Sequence, residues 1–205
     1  PARDTSRRFR AEVRFGEFYD DNAPAAPSAT GASVPAGVGE GKRNTFGELL
    51  SVRLDYDWLR AGGWIGTAGF SFFGTHNNSL PTFDLEDYAG SLNIVRRGLV
   101  ANLPVLVGVS YTYDHVVLDK ERLLERNAVA AYGVLVESDR HLTTGQARVE
   151  FKDYKENKAL PGVESQSGTN YLVGFLHMVR FGRDRHYLRG GYQFDYDDTN
   201  GRNYT

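Results

Sequence analysis

The side chains with the greatest capacity for chemistry in this chain are its histidines and a few neighbouring polar residues. Asp114 and His115 follow Ser110, and these are the residue types of a hydrolytic triad. Neighbours along a strand point to opposite faces, so Asp114 and His115 cannot readily form a relay. Metal-binding histidines need a close spacing, such as i and i+4 on a helix, which is absent among His76, His115, His141, His177 and His186. The sequence therefore predicts no catalytic residue, no metal site, no cofactor and no enzyme.

The glycine-rich stretch 37–43 is the other motif with a chemical precedent, and it reads Gly-Val-Gly-Glu-Gly-Lys-Arg. A phosphate-binding loop needs a glycine, four residues and then Gly-Lys-Ser/Thr, placed between a strand and a helix. Here the spacing is short, Arg43 replaces the hydroxyl residue and no helical pattern follows. We interpret the stretch as part of a surface loop.

Composition excludes several classes of protein. A formal net charge of -2 gives no basic footprint for nucleic acid. The chain has no cysteine, which excludes a disulfide framework. No apolar run reaches the roughly 18 residues of a membrane helix. Tyr and Phe occur 12 times each and Gly 23 times against one Met, a balance that favours β structure.

Apolar and polar residues alternate along the chain with a period of two, which is typical of strands. Between residues 45 and 60, Val52 and Leu54 fall on one side, and Arg53 and Asp55 fall on the other. Eight further segments share this pattern, one of which has its apolar face assigned to Ala128, Ala130, Tyr132, Val134 and Val136. The segments are roughly ten residues long, which suits a tilted strand crossing a bilayer better than the usual soluble strand of about five or six residues.

The charged sides of these segments would line the interior of a barrel. We predict a hydrated lumen there, and its candidate lining residues are Arg10, Glu12, Arg14, Arg53, Asp55, Asp57, Arg148, Glu150, Lys152, Arg189 and Asp195. These residues could select a polar substrate. The alternative is that opposite charges on neighbouring strands simply pair with each other in a wet interior.

Long and short connections alternate between the segments. The longer ones are residues 20–44, 74–81 and 155–168, 119–125 is of middling length, and the shorter ones are 59–63, 96–98, 138–140 and 182–184. Outer-membrane barrels have this asymmetry, with short periplasmic turns and longer external loops. The N-terminus is then expected in the periplasm, and loops 20–44 and 155–168 are expected to act as gates or external contact surfaces.

Aromatic residues are expected at the two membrane interfaces, where a ring can sit among acyl chains while its polar atom stays wet. Two tryptophans flank a short connection, and five tyrosines are assigned to the ends of the segments near the long loops. The candidate girdle residues are Trp58, Trp64, Tyr88, Tyr111, Tyr113, Tyr192 and Tyr196.

Three stretches together resemble a known family: Gly108–Asp114, Gly168–Phe175 and Leu188–Tyr204. They are similar to the C-terminal barrel of outer-membrane proteins with periplasmic tetratricopeptide repeats, a group that includes exopolysaccharide export porins and surface lipoprotein assembly modifiers. The resemblance covers much of residues 45–204. It implies an outer-membrane location, a periplasmic repeat domain before residue 1 and an exported polymer or protein as partner. It transfers no functional residue.

The sequence thus predicts an all-β fold, an antiparallel up-and-down transmembrane β-barrel of about nine strands, forming one segment over residues 1–205. Bacterial barrels close with even strand numbers, so we expect a fragment of a larger barrel, truncated at both ends and in contact with outer-membrane lipid. The predicted function is a hydrated pore for a polysaccharide, a protein or a small solute. A non-conducting anchor or adhesion barrel is the first alternative. A soluble β-sandwich or propeller is the second, because hairpins recur about every 42 residues.

Overall fold

Nine long strands make up almost all of the structure, a computed structural model that describes residues 7–21, 44–158, 160, 162–181 and 186–199. Two short 3-10 turns, Pro81–Phe83 and Val163–Gln166, are the helical segments of these residues. In the same ranges, no helix is both long and apolar enough to span a membrane. The strands are β1 (Phe9–Asp20), β2 (Thr45–Ala61), β3 (Trp64–Asn77), β4 (Leu85–Val100), β5 (Leu103–Leu118), β6 (Glu121–Val136), β7 (His141–Tyr154), β8 (Gly168–Phe181) and β9 (His186–Thr199).

The strands form one sheet in which each strand pairs antiparallel with the next along the chain. This confirms the predicted all-β, antiparallel, up-and-down fold. Among the described residues, β1 pairs only with β2, and β9 pairs only with β8, so the sheet is open at both edges. The register is continuous across the sheet apart from irregularities at Asp57/Leu59 and at Val116/Val117.

Three hairpin connections are tight two-residue turns with positive φ at both positions. They are Gly62-Gly63, Ala101-Asn102 and Asp119-Lys120. Positive φ at both central residues defines the type I′ turn, whose twist matches that of the flanking strands. Glycine, asparagine and aspartate tolerate this left-handed conformation best.

Two predicted connections were wrong. Residues 96–98 lie inside β4, and the chain turns later, at Ala101-Asn102. The expected loop at 119–125 is only the two-residue turn Asp119-Lys120, after which β6 begins. In both places the loop was predicted from charged residues or glycine. Charged residues are equally compatible with the end of a strand.

The remaining connections keep part of the predicted asymmetry. At one end of the sheet, which we call the long-loop end, residues 78–84 and 155–167 connect strands. At the opposite, short-turn end, residues 62–63, 101–102 and 137–140 do so. Most of the predicted loop 20–44 and part of the predicted turn 182–184 lie outside the described residues.

The described residues of the connection between β7 and β8 pack against β5 and β6 at the long-loop end. Its Val163 is buried with Leu118, Leu123 and Leu124. Its Asn157 is almost fully buried and donates a hydrogen bond from Nδ2 to the Leu118 carbonyl at 3.1 Å. A small apolar core therefore seals this connection to β5 and β6.

Strand pairing divides the side chains into two faces, because directly opposed residues lie on the same side of a sheet. The apolar face contains the row Val13, Val52, Phe72 and Tyr88. The polar face contains the alternate rows, one of which consists of Asp57, Thr67, Asn93 and Ser110. Large exposed hydrophobic side chains lie on the apolar face, with four exceptions among the described residues: Phe73, Leu99, Leu160 and Tyr187.

The predicted apolar face of β6 was the wrong one. Val109 and Tyr111 of the apolar face pair with Ala131 and Val129, not with the even-numbered residues. The residues assigned to that face therefore lie on the polar face, and they are Ala128, Ala130, Tyr132, Val134 and Val136. Both sides of β6 are rich in small and apolar residues, so the two sides differ little in polarity and the alternating pattern does not distinguish them.

Candidate functional site

The polar face is the candidate functional site, because the register collects charged residues from eight of the nine strands on it. All eleven predicted lining residues share this face: Arg10, Glu12, Arg14, Arg53, Asp55, Asp57, Arg148, Glu150, Lys152, Arg189 and Asp195. The structure does not spread them evenly. It gathers most of them into two clusters of ion pairs.

The first cluster centres on Asp57, which is only 4% exposed. Arg10 donates two hydrogen bonds to its carboxylate, from Nη1 to Oδ2 at 3.0 Å and from Nη2 to Oδ1 at 2.9 Å. Arg60 donates to Oδ2 from Nε at 3.0 Å, and the Thr67 hydroxyl donates to Oδ1 at 2.8 Å. Bidentate arginine–carboxylate pairs are among the strongest charge-assisted hydrogen bonds, so Asp57 is held rigidly.

An open groove of about 860 Å³ lies beside this cluster at the short-turn end. Its charged lining comprises five arginines and two aspartates: Arg7, Arg10, Arg53, Arg60, Arg97, Asp55 and Asp57. Arg53 also pairs with Asp55, with Nε and Oδ2 3.2 Å apart. The excess of guanidinium groups gives this part of the polar face a positive potential suited to an anionic group.

The second cluster runs diagonally from β5 to β9. Arg126 donates from Nε to Asp114 Oδ2 at 2.7 Å and has Nη1 3.7 Å from Glu150 Oε1. Arg148 lies between Glu150, 3.5 Å away, and Asn170. The chain of contacts then passes from Asn170 to Asp195, where Nδ2 and Oδ1 are 2.6 Å apart.

Two contacts reach across a whole intervening strand on this face. The Tyr132 hydroxyl of β6 donates to Asn93 Oδ1 of β4 at 2.9 Å. Lys152 Nζ of β7 donates to Asp197 Oδ1 of β9 at 2.6 Å. Tyr132 passes over Gly108, where a Cβ atom would lie 2.5 Å from the ring. Side chains two strands apart meet more readily when the sheet bends toward their face, so these contacts favour a sheet that curves toward the polar face. We therefore call the polar face the inner side and the apolar face the outer side.

Asp87 marks a position where the polar face needs solvent. Its Oδ1 is buried and has no hydrogen-bond partner within the described ranges. A buried carboxylate oxygen is costly unless water or a cation reaches it. The carboxyl group of Asp87 therefore needs a water molecule, a cation or its own proton to compensate for burial.

Sequence reasoning missed several members of the second cluster, including Asp114, Arg126 and Asn170. Arg126 has the same parity as the residues of β6 that were assigned to the apolar face, and this error removed it from consideration. The available signal was cross-strand charge complementarity, because Arg126 stands directly opposite Asp114.

The candidate girdle residues all lie on the apolar face, at varied heights. Trp58 and Trp64 are near the short-turn end, and the Trp58 ring covers Gly66. Tyr88, Tyr113 and Tyr196 are nearer the long-loop end. Tyr111 and Tyr192 lie near the middle of their strands, which corrects their assignment to strand ends.

One group of side chains in the described ranges could hold a metal ion, and it lies on the outer side at the short-turn end. It consists of Glu137, His141 and His177. Local spacing along the chain contains no signal for this group, since 36 residues separate the two histidines. The β7–β8 register brings them together.

The chain matches no family model, no curated protein and no solved structure. The geometry of the two faces is therefore the basis for assigning a function.

Proposed function

We propose that this chain forms part of a bacterial outer-membrane β-barrel whose polar face lines a hydrated pore for a polar substrate, such as a polysaccharide, a protein or a small solute. One observation carries the proposal: the distribution of exposure is the reverse of that in a water-soluble protein. Val109 on the apolar face is 55% exposed, whereas Asp114 and Glu150 on the polar face are 4% and 6% exposed.

The apolar face is too large to remain in water. It extends over all nine strands and carries aromatic or aliphatic side chains on each of them. Soluble monomers rarely expose a contiguous apolar patch larger than a few hundred Å². Lipid acyl chains are the partner that covers such a surface without any specific complementarity.

The height of the apolar band supports this partner. On β4, the apolar face begins after Glu86 and ends before Arg96, and Tyr88, Gly90, Leu92 and Ile94 lie between them. Ten residue steps at about 3.3 Å give about 33 Å along the strand. A tilt of about 40° reduces this to about 25 Å, the height of the apolar band of outer-membrane barrels. Arg96 also stacks on Trp64, with its Cζ 5.2 Å from the ring centroid, as expected at an interface.

The open edges set a requirement for the proposal. Unpaired backbone groups in lipid cost several kcal/mol each. The free edges of β1 and β9 must therefore pair with strands outside the described residues or with another chain.

A non-conducting barrel is the second candidate, and one specific observation favours it. The described part of the connection between β7 and β8 lies at the long-loop end, where Val163 and Asn157 hold it against β5 and β6. Together with the ion-pair clusters, this connection would narrow or close the mouth. Such a barrel would serve as an anchor or adhesion scaffold.

Four single cysteine substitutions test the membrane assignment: V52C, R53C, L54C and D55C. They are made in the full-length protein after any cysteine outside these 205 residues has been replaced, since the 205 residues contain none. We expect a membrane-impermeant thiol reagent to modify positions 53 and 55, which are on the polar face. A lipid-phase quencher should act on labels at positions 52 and 54. Shielding of positions 52 and 54 from both reagents would identify a soluble core and overturn the proposal.

Conductance in planar bilayers separates the two barrel functions. The pore predicts steady ion conductance from the full-length protein, with a preference for anions set by the arginine groove. A silent barrel that conducts only after residues 157–166 are replaced by a short glycine-serine linker would favour a plugged pore. Silence in both proteins would favour the anchor.

A further inference from the structure

We propose that Glu137, His141 and His177 form a binding site for a transition-metal ion, with Zn²⁺ as the best-fitting divalent cation. The proposal is independent of the membrane assignment, since it depends only on the β7–β8 register. That register places Thr143 opposite His177, and His141 two residues earlier on the same face. Glu137 precedes the turn that leads into His141.

The two imidazoles already have the separation that a metal requires. His141 Nδ1 and His177 Nε2 are 3.3 Å apart. Two nitrogen ligands at about 2.05 Å from a tetrahedral Zn²⁺ are themselves about 3.3 Å apart. A shared N–H can join the same atoms when no metal is bound, so the site needs only a change of His141 tautomer to accept the ion.

The tautomer of His177 is fixed by its other neighbour. The Thr143 hydroxyl lies 2.6 Å from Glu137 Oε1 and 2.7 Å from His177 Nδ1. Its single proton goes to the carboxylate, which only accepts, so His177 Nδ1 must donate its N–H to the hydroxyl oxygen. This leaves the Nε2 lone pair free toward His141. Metal-binding histidines commonly have their other ring nitrogen held in this way.

Glu137 supplies the third ligand. A carboxylate oxygen of Glu137 lies within 4.8 Å of a nitrogen of each histidine. The Oε1 atom is engaged by Thr143, while Oε2 is 3.8 Å from His177 Nδ1 and must rotate toward the Nε2 side of the ring to reach the ion. Part of each side chain is exposed, so the ion can enter from solvent.

The donor set selects the class of metal. Ca²⁺ and Mg²⁺ prefer oxygen ligands, whereas imidazole nitrogens suit Zn²⁺, Cu²⁺ and Ni²⁺. Two histidines and one carboxylate leave a fourth tetrahedral position for water or another ligand.

Calorimetric titration of the folded, metal-free full-length protein with ZnCl₂ tests the site. We expect one Zn²⁺ per chain, with affinity falling at least about 10-fold in H141A and in H177A. The variant T143V keeps the shape of the side chain but not the hydroxyl, and a loss of about 10–100-fold is expected. H186A, on the same face and at the same end of the sheet, is the matched control and should bind as the wild type does.

Two results would overturn the proposal: no saturable Zn²⁺ binding, or binding that persists unchanged in H141A and H177A. Far-ultraviolet circular dichroism of each variant, which reports its β-strand content, establishes that it is folded. Co²⁺ provides a second readout in the wild-type protein, because tetrahedral coordination gives strong visible absorption. A weak, octahedral-type spectrum with no competition by Zn²⁺ would also contradict the site.

Discussion

The two faces of the sheet are held by different forces, although each strand contributes to both. On the polar face, Asp57 is nearly enclosed and accepts hydrogen bonds from three side chains. On the apolar face, Val109 and Phe194 are more than half exposed. The carboxylate of Asp57 is thus paired within the chain itself, whereas these apolar side chains are left exposed.

This difference shows where the stability of the sheet must come from. The described residues contain only a small apolar cluster, around Leu118 and Val163, at one end. Hydrophobic burial is the dominant favourable term in folding. A sheet with so little internal core gains that term only when something apolar covers its outer side.

The largest test of this comparison places a charge on each face at neighbouring positions. In lipid, V109R should reduce the free energy of unfolding by about 2–4 kcal/mol, because an arginine at the bilayer midplane is poorly solvated. S110R projects to the polar face and should cost less than about 1 kcal/mol. Reversible urea unfolding from lipid vesicles measures both.

If V109R and S110R changed the free energy of unfolding by equal, small amounts, the two faces would not differ as described. Val109 would then behave as an ordinary exposed residue, for which most substitutions change stability by less than about 0.5 kcal/mol. The apolar face would not be in contact with hydrocarbon.

The second test compares an enclosed carboxylate with an exposed one on the polar face. Asp57→Ala leaves Arg10 and Arg60 close together without their shared acceptor, and we expect a loss of about 1–3 kcal/mol. Water screens both arginines in part, which keeps the loss below that for a fully buried pair. Glu12→Ala removes an exposed pair with Arg14 and should cost less than about 0.5 kcal/mol. Chemical denaturation of each variant gives the difference, and similar losses would mean that Asp57 is more solvated than its contacts indicate.

The sequence predicted the division into faces well where the two faces differ in polarity. In β2, Arg53 and Asp55 alternate with Val52 and Leu54, and the structure keeps these sets apart. It failed in β6, where alanines and valines occupy both sides, so that only pairing with β5 decides the orientation. A period-two pattern identifies the two faces of a strand only if alternate residues differ in polarity. In a strand without that difference, pairing with the neighbouring strands decides which side chains lie on which face.

The clusters on the polar face were less predictable than the face itself. Arg10 and Asp57 are 47 residues apart, and their contact depends on the β1–β2 register across a long connection. The histidine pair depends in the same way on the β7–β8 register. Residue types and local spacing contain no information on such distances, whereas complementary charges on adjacent strands contain a little.

The smallest test compares two tyrosine–asparagine hydrogen bonds, one on each face. The Tyr111 hydroxyl donates to Asn127 Oδ1 at 2.6 Å on the apolar face, and the Tyr132 hydroxyl donates to Asn93 on the polar face. Tyr111→Phe would leave Asn127 unpaired among acyl chains, at a cost of about 1 kcal/mol or more. Tyr132→Phe should cost only about 0.5 kcal/mol, because water on a hydrated face can replace the lost donor. Unfolding in lipid vesicles measures the order of the two effects. A larger loss for Tyr132→Phe would mean that the polar face is dry and tightly packed, which fits the anchor better than the pore.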